Sequence, residues 1–99
     1  MATKIRRGSG NVFADLGFPT WEAANLQLRS HLMIQLRKAL DARQLTQAAA
    51  ARLLGISQPR VSDLVRGRID RFSIDALIQL LDKAGIEVRL TTRTKPRAA

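Results

Sequence analysis

The side chains best suited to chemistry in this sequence follow one another closely in a short polar segment. They are Gln58, Arg60, Ser62, Asp63 and, just beyond them, Arg66. A glutamine amide can hold adenine through two hydrogen bonds, and an arginine guanidinium can hold guanine in the same way. The segment therefore carries donors and acceptors that fit the edges of base pairs.

Two short helices are predicted to position these side chains, Gln47 to Leu54 and Gln58 to about Val65. Thr46 and Ser57 precede the two helices, and both are residue types that cap helix N-termini. Gly55 permits a tight turn between the helices, so the second helix is expected to cross the first at a steep angle. The sequence thus predicts a helix-turn-helix.

Apolar residues at three- and four-residue spacing are predicted to hold the second helix on the core and leave its polar side outward. Amide hydrogens at both helix starts can meet phosphate oxygens, and Gln47 is placed to contact a nucleic-acid backbone. Ala51 is small where the two helices are expected to approach most closely. The apolar anchors are Ile56, Val61, Leu64 and Val65.

The composition fits a small domain that binds a polyanion. Seventeen Lys and Arg residues against eight Asp and Glu give a net charge of +9 over 99 residues, which favours nucleic acid as a partner. The alternative is that the charge only aids solubility. The chain has no cysteine, no apolar run that could cross a bilayer and no signal-peptide segment at its start. We therefore expect a cytoplasmic protein without a membrane partner.

One domain is predicted over residues 11–92, between a flexible basic N-terminal arm at 1–10 and a loose basic tail at 93–99. The domain is expected to open with one short helical turn capped by Asn11. Gly17 can take the left-handed closing position of this turn, and Phe18 can then fold back onto Phe13.

A long amphipathic helix is predicted from Trp21 to about Ala42, capped by Thr20 once Pro19 has ended the preceding turn. A last helix is opened by Ser73 and closed by Gly85. The apolar faces of these helices are expected to supply much of the core, through Leu26, Leu32, Met33, Leu36 and Leu40 in the first and Leu77, Ile78, Leu80 and Leu81 in the second.

The hydrophobic period changes after the last helix. Ile86, Val88 and Leu90 alternate with polar residues, which predicts one C-terminal β-strand buried on one face. A strand needs a partner for its backbone groups, and the region Asn11 to Phe13, the region Lys4 to Arg6 or the same strand of a second chain could supply it. The three apolar residues are the candidate contacts of a homodimer.

A recognisable pattern runs through the predicted helix-turn-helix. It consists of Thr46 with Gln47, Ala51, Gly55, Ser57 with Gln58, Val61 and Gly67. This pattern resembles the XRE, or lambda-repressor-like, helix-turn-helix family. The resemblance implies a mainly α, five-helix domain, here with a short N-terminal helical turn and one C-terminal β-strand, in a bacterial protein that is nucleoid-associated when it binds DNA.

The same resemblance implies roles for particular residues. Phosphate contacts fall at the start of the first short helix and after the second, on Thr46, Gln47, Arg66, Gly67 and Arg68. Base-reading positions fall on Ser57, Gln58, Pro59 and Asp63, beside Arg60 and Ser62 from the polar face. Pro59 replaces the polar residue often found in the family and offers no donor, so readout at that position would be apolar or would shift to Arg60.

The segments SGNVFADLGFPT and IEVRLTT, with the long helix between them, resemble small antitoxins of the HigA type. Such antitoxins repress their own operon and bind a RelE/HigB-like toxin, which implies both a toxin partner and double-stranded operator DNA. These toxins are commonly basic, as this chain is, so contact would have to be apolar. The candidates are Phe13, Leu16, Phe18 and Trp21; the alternative is that they close the core, which we favour for Phe18 and Trp21.

No catalytic or metal-binding pattern is recognised. His31 has no ligand-type residues at suitable spacing, and no paired acid and base, activated nucleophile or phosphate loop is present. We expect no enzymatic activity, no metal and no cofactor. A two-fold dimer is expected to place its recognition helices about 34 Å apart, or a multiple of that distance, on a palindromic operator. Three functions stay open: a transcriptional autorepressor, an interaction protein that blocks a toxin, and a stand-alone phage-like regulator without a toxin. The first two are compatible in an antitoxin.

Overall fold

The computed structural model describes residues 11–96, which form a mainly helical chain. Five α-helices follow one another in this part: α1 (Val12–Asp15), α2 (Thr20–Ala42), α3 (Gln47–Leu54), α4 (Gln58–Val65) and α5 (Ile74–Lys83). A 3-10 turn, Ile69–Arg71, separates α4 from α5. The predicted set of helices is confirmed. None of the helices in residues 11–96 has the length and apolar character needed to cross a membrane.

Asn11 ties the first helical turn to α2. Its side-chain oxygen accepts hydrogen bonds from the amides of Phe13 and Ala14, at 2.9 and 3.3 Å, and its side-chain nitrogen donates to the carbonyl of Ala23 at 3.1 Å. The amide of Phe18 donates to the carbonyl of Phe13, and the two rings meet edge to face with their centroids 6.2 Å apart. The predicted cap and the predicted fold-back of Phe18 are both confirmed.

The start of α2 differs from the prediction. Thr20 is the first residue of the helix and does not cap it, because Pro19 occupies the cap position and no side-chain hydrogen bond forms there. The carbonyl of Pro19 accepts the amide of Ala23 at 2.8 Å. Since the proline ring already fixes φ near the helical value, at −56°, the chain enters the helix without a polar cap.

The core lies between α2 and α5 and is completed by α3 and α4. Burial of these leucine-rich faces removes apolar surface from water, which is the main force that holds helices of this length together. α2 and α5 contribute seven apolar side chains that are at most 6% exposed, and these are Ala23, Met33, Leu36, Leu40, Leu77, Leu80 and Leu81.

Three side chains depart from the predicted core, and the first, Leu26, is half-buried outside the core cluster. Ile78 is 40% exposed, because it lies beside the buried stripe of α5 formed by Leu77 and Leu81 and not on it. Phe72, which no periodic pattern predicted, is among the largest fully buried side chains and is 1% exposed. Its position just after the 3-10 turn places this turn directly against the core.

Two basic side chains hold the ends of neighbouring helices together. Lys83 at the end of α5 donates to the carbonyl of Leu54, the last residue of α3, at 3.2 Å. Arg43, which follows α2, donates to the carbonyl of Ala84 just after α5 at 3.3 Å. Carbonyls at helix C-termini lack partners within the helix and carry partial negative charge, so cations suit these positions.

The predicted C-terminal strand is not found in the described part of the chain. The amide of Ile86 donates to the carbonyl of Leu81 at 2.8 Å, and residues 87–96 have no regular secondary structure. The first partner considered, Asn11 to Phe13, is occupied by the capped turn of α1, so its backbone cannot pair with a strand. Val88 still packs against the core, while Leu90 is 76% exposed.

Two of the predicted segments extend beyond what the structure describes. The basic arm at 1–10, with the candidate pairing region Lys4 to Arg6, and residues 97–99 of the basic tail lie outside the described residues. Residues 93–96 of the tail are exposed and without regular structure.

Candidate nucleic-acid interface

The turn between α3 and α4 has the geometry that its sequence predicts. Thr46 caps α3 through a hydrogen bond that its hydroxyl accepts from the amide of Ala49 at 3.1 Å. Gly55 ends α3 in the left-handed conformation, with φ of +71°, and its amide donates to the carbonyl of Ala51 at 2.8 Å. A side chain at this glycine would be strained and would meet the Lys83 ammonium at 3.1 Å.

Helix α4 sits on the core through one stripe of apolar residues. Val61 and Leu64 are 1% and 0% exposed, and Ile56 in the turn is half-buried against the core cluster. Val65, a predicted anchor, is 39% exposed, because it is the last helical residue and lies at the margin of the stripe. The opposite side of α4 is left outside the core.

The start of α4 presents three exposed residues in a row. The hydroxyl of Ser57 caps the helix by accepting the amide of Arg60 at 3.3 Å. Gln58 is exposed, and its side chain contacts no other described residue through a hydrogen bond. Pro59 lies in the first turn, where a missing N–H removes no helical hydrogen bond. A preformed and solvent-facing helix start thus carries the predicted base-reading residues Ser57, Gln58 and Pro59.

Two other predicted base-reading residues are already engaged with the protein. The Nη1 of Arg60 donates to the carbonyl of Arg71 at 2.7 Å, and its Cζ lies 4.2 Å from the centroid of the Phe72 ring. The carboxylate of Asp63 pairs with the Arg71 guanidinium at 3.5 Å. Both side chains therefore point toward the 3-10 turn. Ser62, the sixth predicted position, is half-buried.

The predicted phosphate contacts flank this surface in the sequence. Thr46 and Gln47 are exposed at the start of α3, and Arg66, Gly67 and Arg68 are exposed where the chain leaves α4. The caps Thr46 and Ser57 already accept the third amide of each helix, and Pro59 has no amide hydrogen. The amides of Gln47 and Ala48 in α3 and of Gln58 in α4 have no carbonyl partner within their helix, so they can donate to an anion. The exposed residues of both regions can meet phosphates while α4 faces bases.

Arg29 is a structural residue of this region that sequence reasoning missed. Its Nη1 donates to the carbonyls of Ile69 and Phe72, at 3.1 and 3.5 Å, and so ties the 3-10 turn to α2. Its Nε donates to the side chain of Asn25 at 2.6 Å. The four-residue spacing of Asn25 and Arg29 on one helix was a signal for their pairing. The contact across forty residues of sequence had no such signal.

A second surface is apolar and lies at α1 and the start of α2. Leu16 and Trp21 are 71% and 73% exposed, Phe18 is 39% exposed, and Phe13 is half-buried beneath it. The interpretation that Trp21 closes the core is therefore wrong. Trp21 lies in the first turn of α2, well before Leu32 and Met33, where this helix first joins the core cluster.

Comparison with known proteins is consistent with this geometry. A family model described as a helix-turn-helix domain matches residues 12–93. A solved structure that bears the name of an XRE-family transcriptional regulator has 39% sequence identity and a TM-score of 0.71, and the similarity covers 79% of this chain and 90% of that one. No curated protein matches the sequence.

Proposed function

The chain belongs to the XRE family of helix-turn-helix transcriptional regulators, and from this premise we propose that it is a repressor that reads a specific operator with α4. The observation that carries the proposal is the exposed start of α4, where Gln58 faces solvent on a helix anchored by Val61 and Leu64. A helix held in this way can enter the major groove of DNA.

The chemistry of the exposed residues fits this role. Gln58 can form the paired hydrogen bonds that select adenine, while Ser57 and Pro59 add a polar and an apolar contact beside it. Arg66 and Arg68 are exposed beyond the helix, where they can neutralise phosphates. The net charge of +9 draws DNA toward the chain from a distance.

Selection from a pool of randomised duplex DNA tests this proposal. The unmodified chain is expected to enrich one palindromic sequence, and Gln58→Ala to lose preference at one base pair of each half-site. Gln27→Ala, an exposed glutamine in α2, is the matched control and should leave the preference unchanged. Failure of the unmodified chain to enrich any sequence would contradict the proposal.

We further propose that the repressor is a homodimer formed through residues 86–90. An antiparallel pairing of this segment with its copy, centred on Val88, would place Ile86 opposite Leu90 and Glu87 opposite Arg89, each twice by symmetry. The segment is thus complementary to itself in both apolar character and charge. Ile86 and Leu90 are 36% and 76% exposed, so both are accessible to a second copy.

Charge reversal tests the register of this dimer. Glu87→Arg is expected to raise the dimer dissociation constant on the order of tenfold, because it turns two cross-strand attractions into repulsions. The double variant Glu87→Arg with Arg89→Glu should restore dimers. If the register is different, the second charge change should weaken the dimer further and not restore it. Molecular mass measured by light scattering over a concentration series distinguishes these results.

The role of antitoxin is a finer proposal, supported by the apolar surface at α1 and α2. We propose that Phe13, Leu16, Phe18 and Trp21 contact a RelE/HigB-like toxin, since a basic chain needs apolar contacts to hold a basic partner. The alternative is a stand-alone regulator with no toxin. A toxin gene beside the operator, and a product that co-purifies with the chain, would decide between them.

Two sets of variants separate toxin capture from DNA binding. Leu16→Ala with Trp21→Ala should lose the toxin and keep the operator, and Ile34→Ala, which is 47% exposed elsewhere on α2, serves as the control. Gln58→Ala with Arg60→Ala should lose the operator and keep the toxin. A folded variant that loses both activities would contradict this division. We propose no catalytic function, and action on the nucleoid in the bacterial cytoplasm.

A further inference from the structure

Arg60 is joined to the 3-10 turn by two different interactions. Its guanidinium donates to the carbonyl of Arg71 at 2.7 Å and lies over the Phe72 ring, 4.2 Å from the centroid. Phe72 is 1% exposed, so the face that Arg60 covers belongs to the core. A charge-assisted hydrogen bond and a cation–π contact thus act on the same group.

The turn that Arg60 contacts is held from a second side. Asp63, three residues further along α4, pairs with the side chain of Arg71 at 3.5 Å. From α2, Arg29 donates to the carbonyls of Ile69 and Phe72. The 3-10 turn therefore connects α4 to the long helix, and Arg60 is the residue through which α4 reaches both the backbone and the aromatic ring of this connection.

Release of Arg60 toward a base would sacrifice both of these interactions. A bidentate contact with guanine is of the same order as a charge-assisted hydrogen bond together with a cation–π contact. The exchange would therefore yield little net affinity. It would also remove the support that fixes the angle of α4, on which the contacts of Gln58 depend.

Resting on the proposed DNA binding, we infer that Arg60 is a positioning residue of the recognition helix and reads no base. It sets the orientation of α4 against the 3-10 turn, and sequence preference comes from the exposed residues at the helix start. Loss of Arg60 then weakens every base contact in equal proportion, whereas loss of a base-reading residue removes the preference at one base pair.

The test compares Arg60→Ala with Gln58→Ala and Arg66→Ala on randomised duplex DNA, followed by titration of the best sequence. Arg60→Ala is expected to lower affinity about tenfold, as loss of a charge-assisted hydrogen bond does, and to flatten the preference evenly. The dependence of affinity on salt should stay unchanged, because no phosphate contact is lost. Arg66→Ala should reduce the slope of log affinity against log salt concentration by about one, because one phosphate contact is lost.

A second measurement uses the unmodified chain, so it does not depend on whether Arg60→Ala folds. In NMR spectra of the unmodified chain, side-chain protons of Arg60 should show contacts with the Phe72 ring, both free and bound to the selected duplex. Arg60→Lys, which keeps the charge and a donor, should recover part of the lost affinity. Loss of the ring contacts on DNA binding, or loss of preference at a single base pair in Arg60→Ala, would overturn the inference.

The outcomes also separate this inference from the proposed function. If the unmodified chain selects no sequence, the proposed operator binding fails, and the inference fails with it. If the chain selects a sequence and Arg60→Ala changes one base pair only, the operator binding stands and the positioning role alone is wrong.

Discussion

The helix-turn-helix at residues 46–67 and the segment at residues 86–96 differ in where their polar backbone groups find partners. In the first, the backbone amides and carbonyls find hydrogen-bond partners nearby in the helices, their caps and the glycine turn, and the apolar stripe of α4 is buried. In the second, residues after Ile86 form no backbone hydrogen bond with the rest of the described chain, and Leu90 stays exposed. The first region is complete within one molecule, whereas the second leaves backbone donors and acceptors that the proposed dimer would pair.

Truncation of one leucine in each region gives the largest expected contrast. Leu64→Ala should reduce the free energy of unfolding by about 3 kcal/mol, because Leu64 is fully buried and a cavity remains. Leu90→Ala should change it by less than about 0.5 kcal/mol. Urea denaturation at low protein concentration measures both. Equal losses would contradict the contrast between the regions.

The turn glycine should give the next largest effect. Gly55→Ala is expected to cost about 1–2 kcal/mol, since φ of +71° is unfavourable for a residue with a side chain. Gly17→Ala is the matched control, with φ of +98° and nothing near the added atom. A greater loss at Gly55 in thermal unfolding would measure the contact with Lys83, and an equal loss would show that the Lys83 side chain moves aside freely.

Removal of the α4 cap should have a smaller effect on stability. Ser57→Ala is expected to cost about 1 kcal/mol, because the amide of Arg60 loses its acceptor. Ser57→Asp keeps an acceptor and should remain stable, yet it should weaken DNA binding because the carboxylate repels phosphates. If Ser57→Asp binds DNA as tightly as the unmodified chain, the start of α4 does not face the duplex.

The smallest expected change is a gain. Gln44, between α2 and α3, has φ of +56°, a conformation that favours glycine. Gln44→Gly should stabilise the chain by a few tenths to about 1 kcal/mol, after the greater freedom of glycine in the unfolded state is subtracted. A loss of stability in thermal unfolding would show that the glutamine side chain has a packing role.

The features that the sequence predicted well depend on neighbours a few residues apart. Asn11, Thr46, Ser57 and Ser73 all cap helices as predicted, because a cap bonds to an amide two or three residues away. Gly55 takes its left-handed conformation for an equally local reason. The bounds of α3 and α4 could be predicted from these capping residues and from the turn glycine.

The features that it missed depend on distant parts of the chain. Phe72 belongs to no helical period, and its burial follows from the meeting of α2, α4 and the 3-10 turn. The hydrogen bond from Arg60 to the carbonyl of Arg71 joins residues of two different elements, so it could not be predicted from spacing. The exposure of Trp21 could not be predicted either, because the usual burial of aromatic residues does not indicate how far along α2 the core extends.

Arg29, Arg43, Arg60 and Lys83 each donate a hydrogen bond to a backbone carbonyl of their own molecule. Their charges still act over long range and speed the encounter with a polyanion. At contact, however, these groups are not all available to replace counterions. Fewer ions are therefore expected to be released on binding than the seventeen Lys and Arg residues could release, so association rate and salt sensitivity are separate properties of this chain.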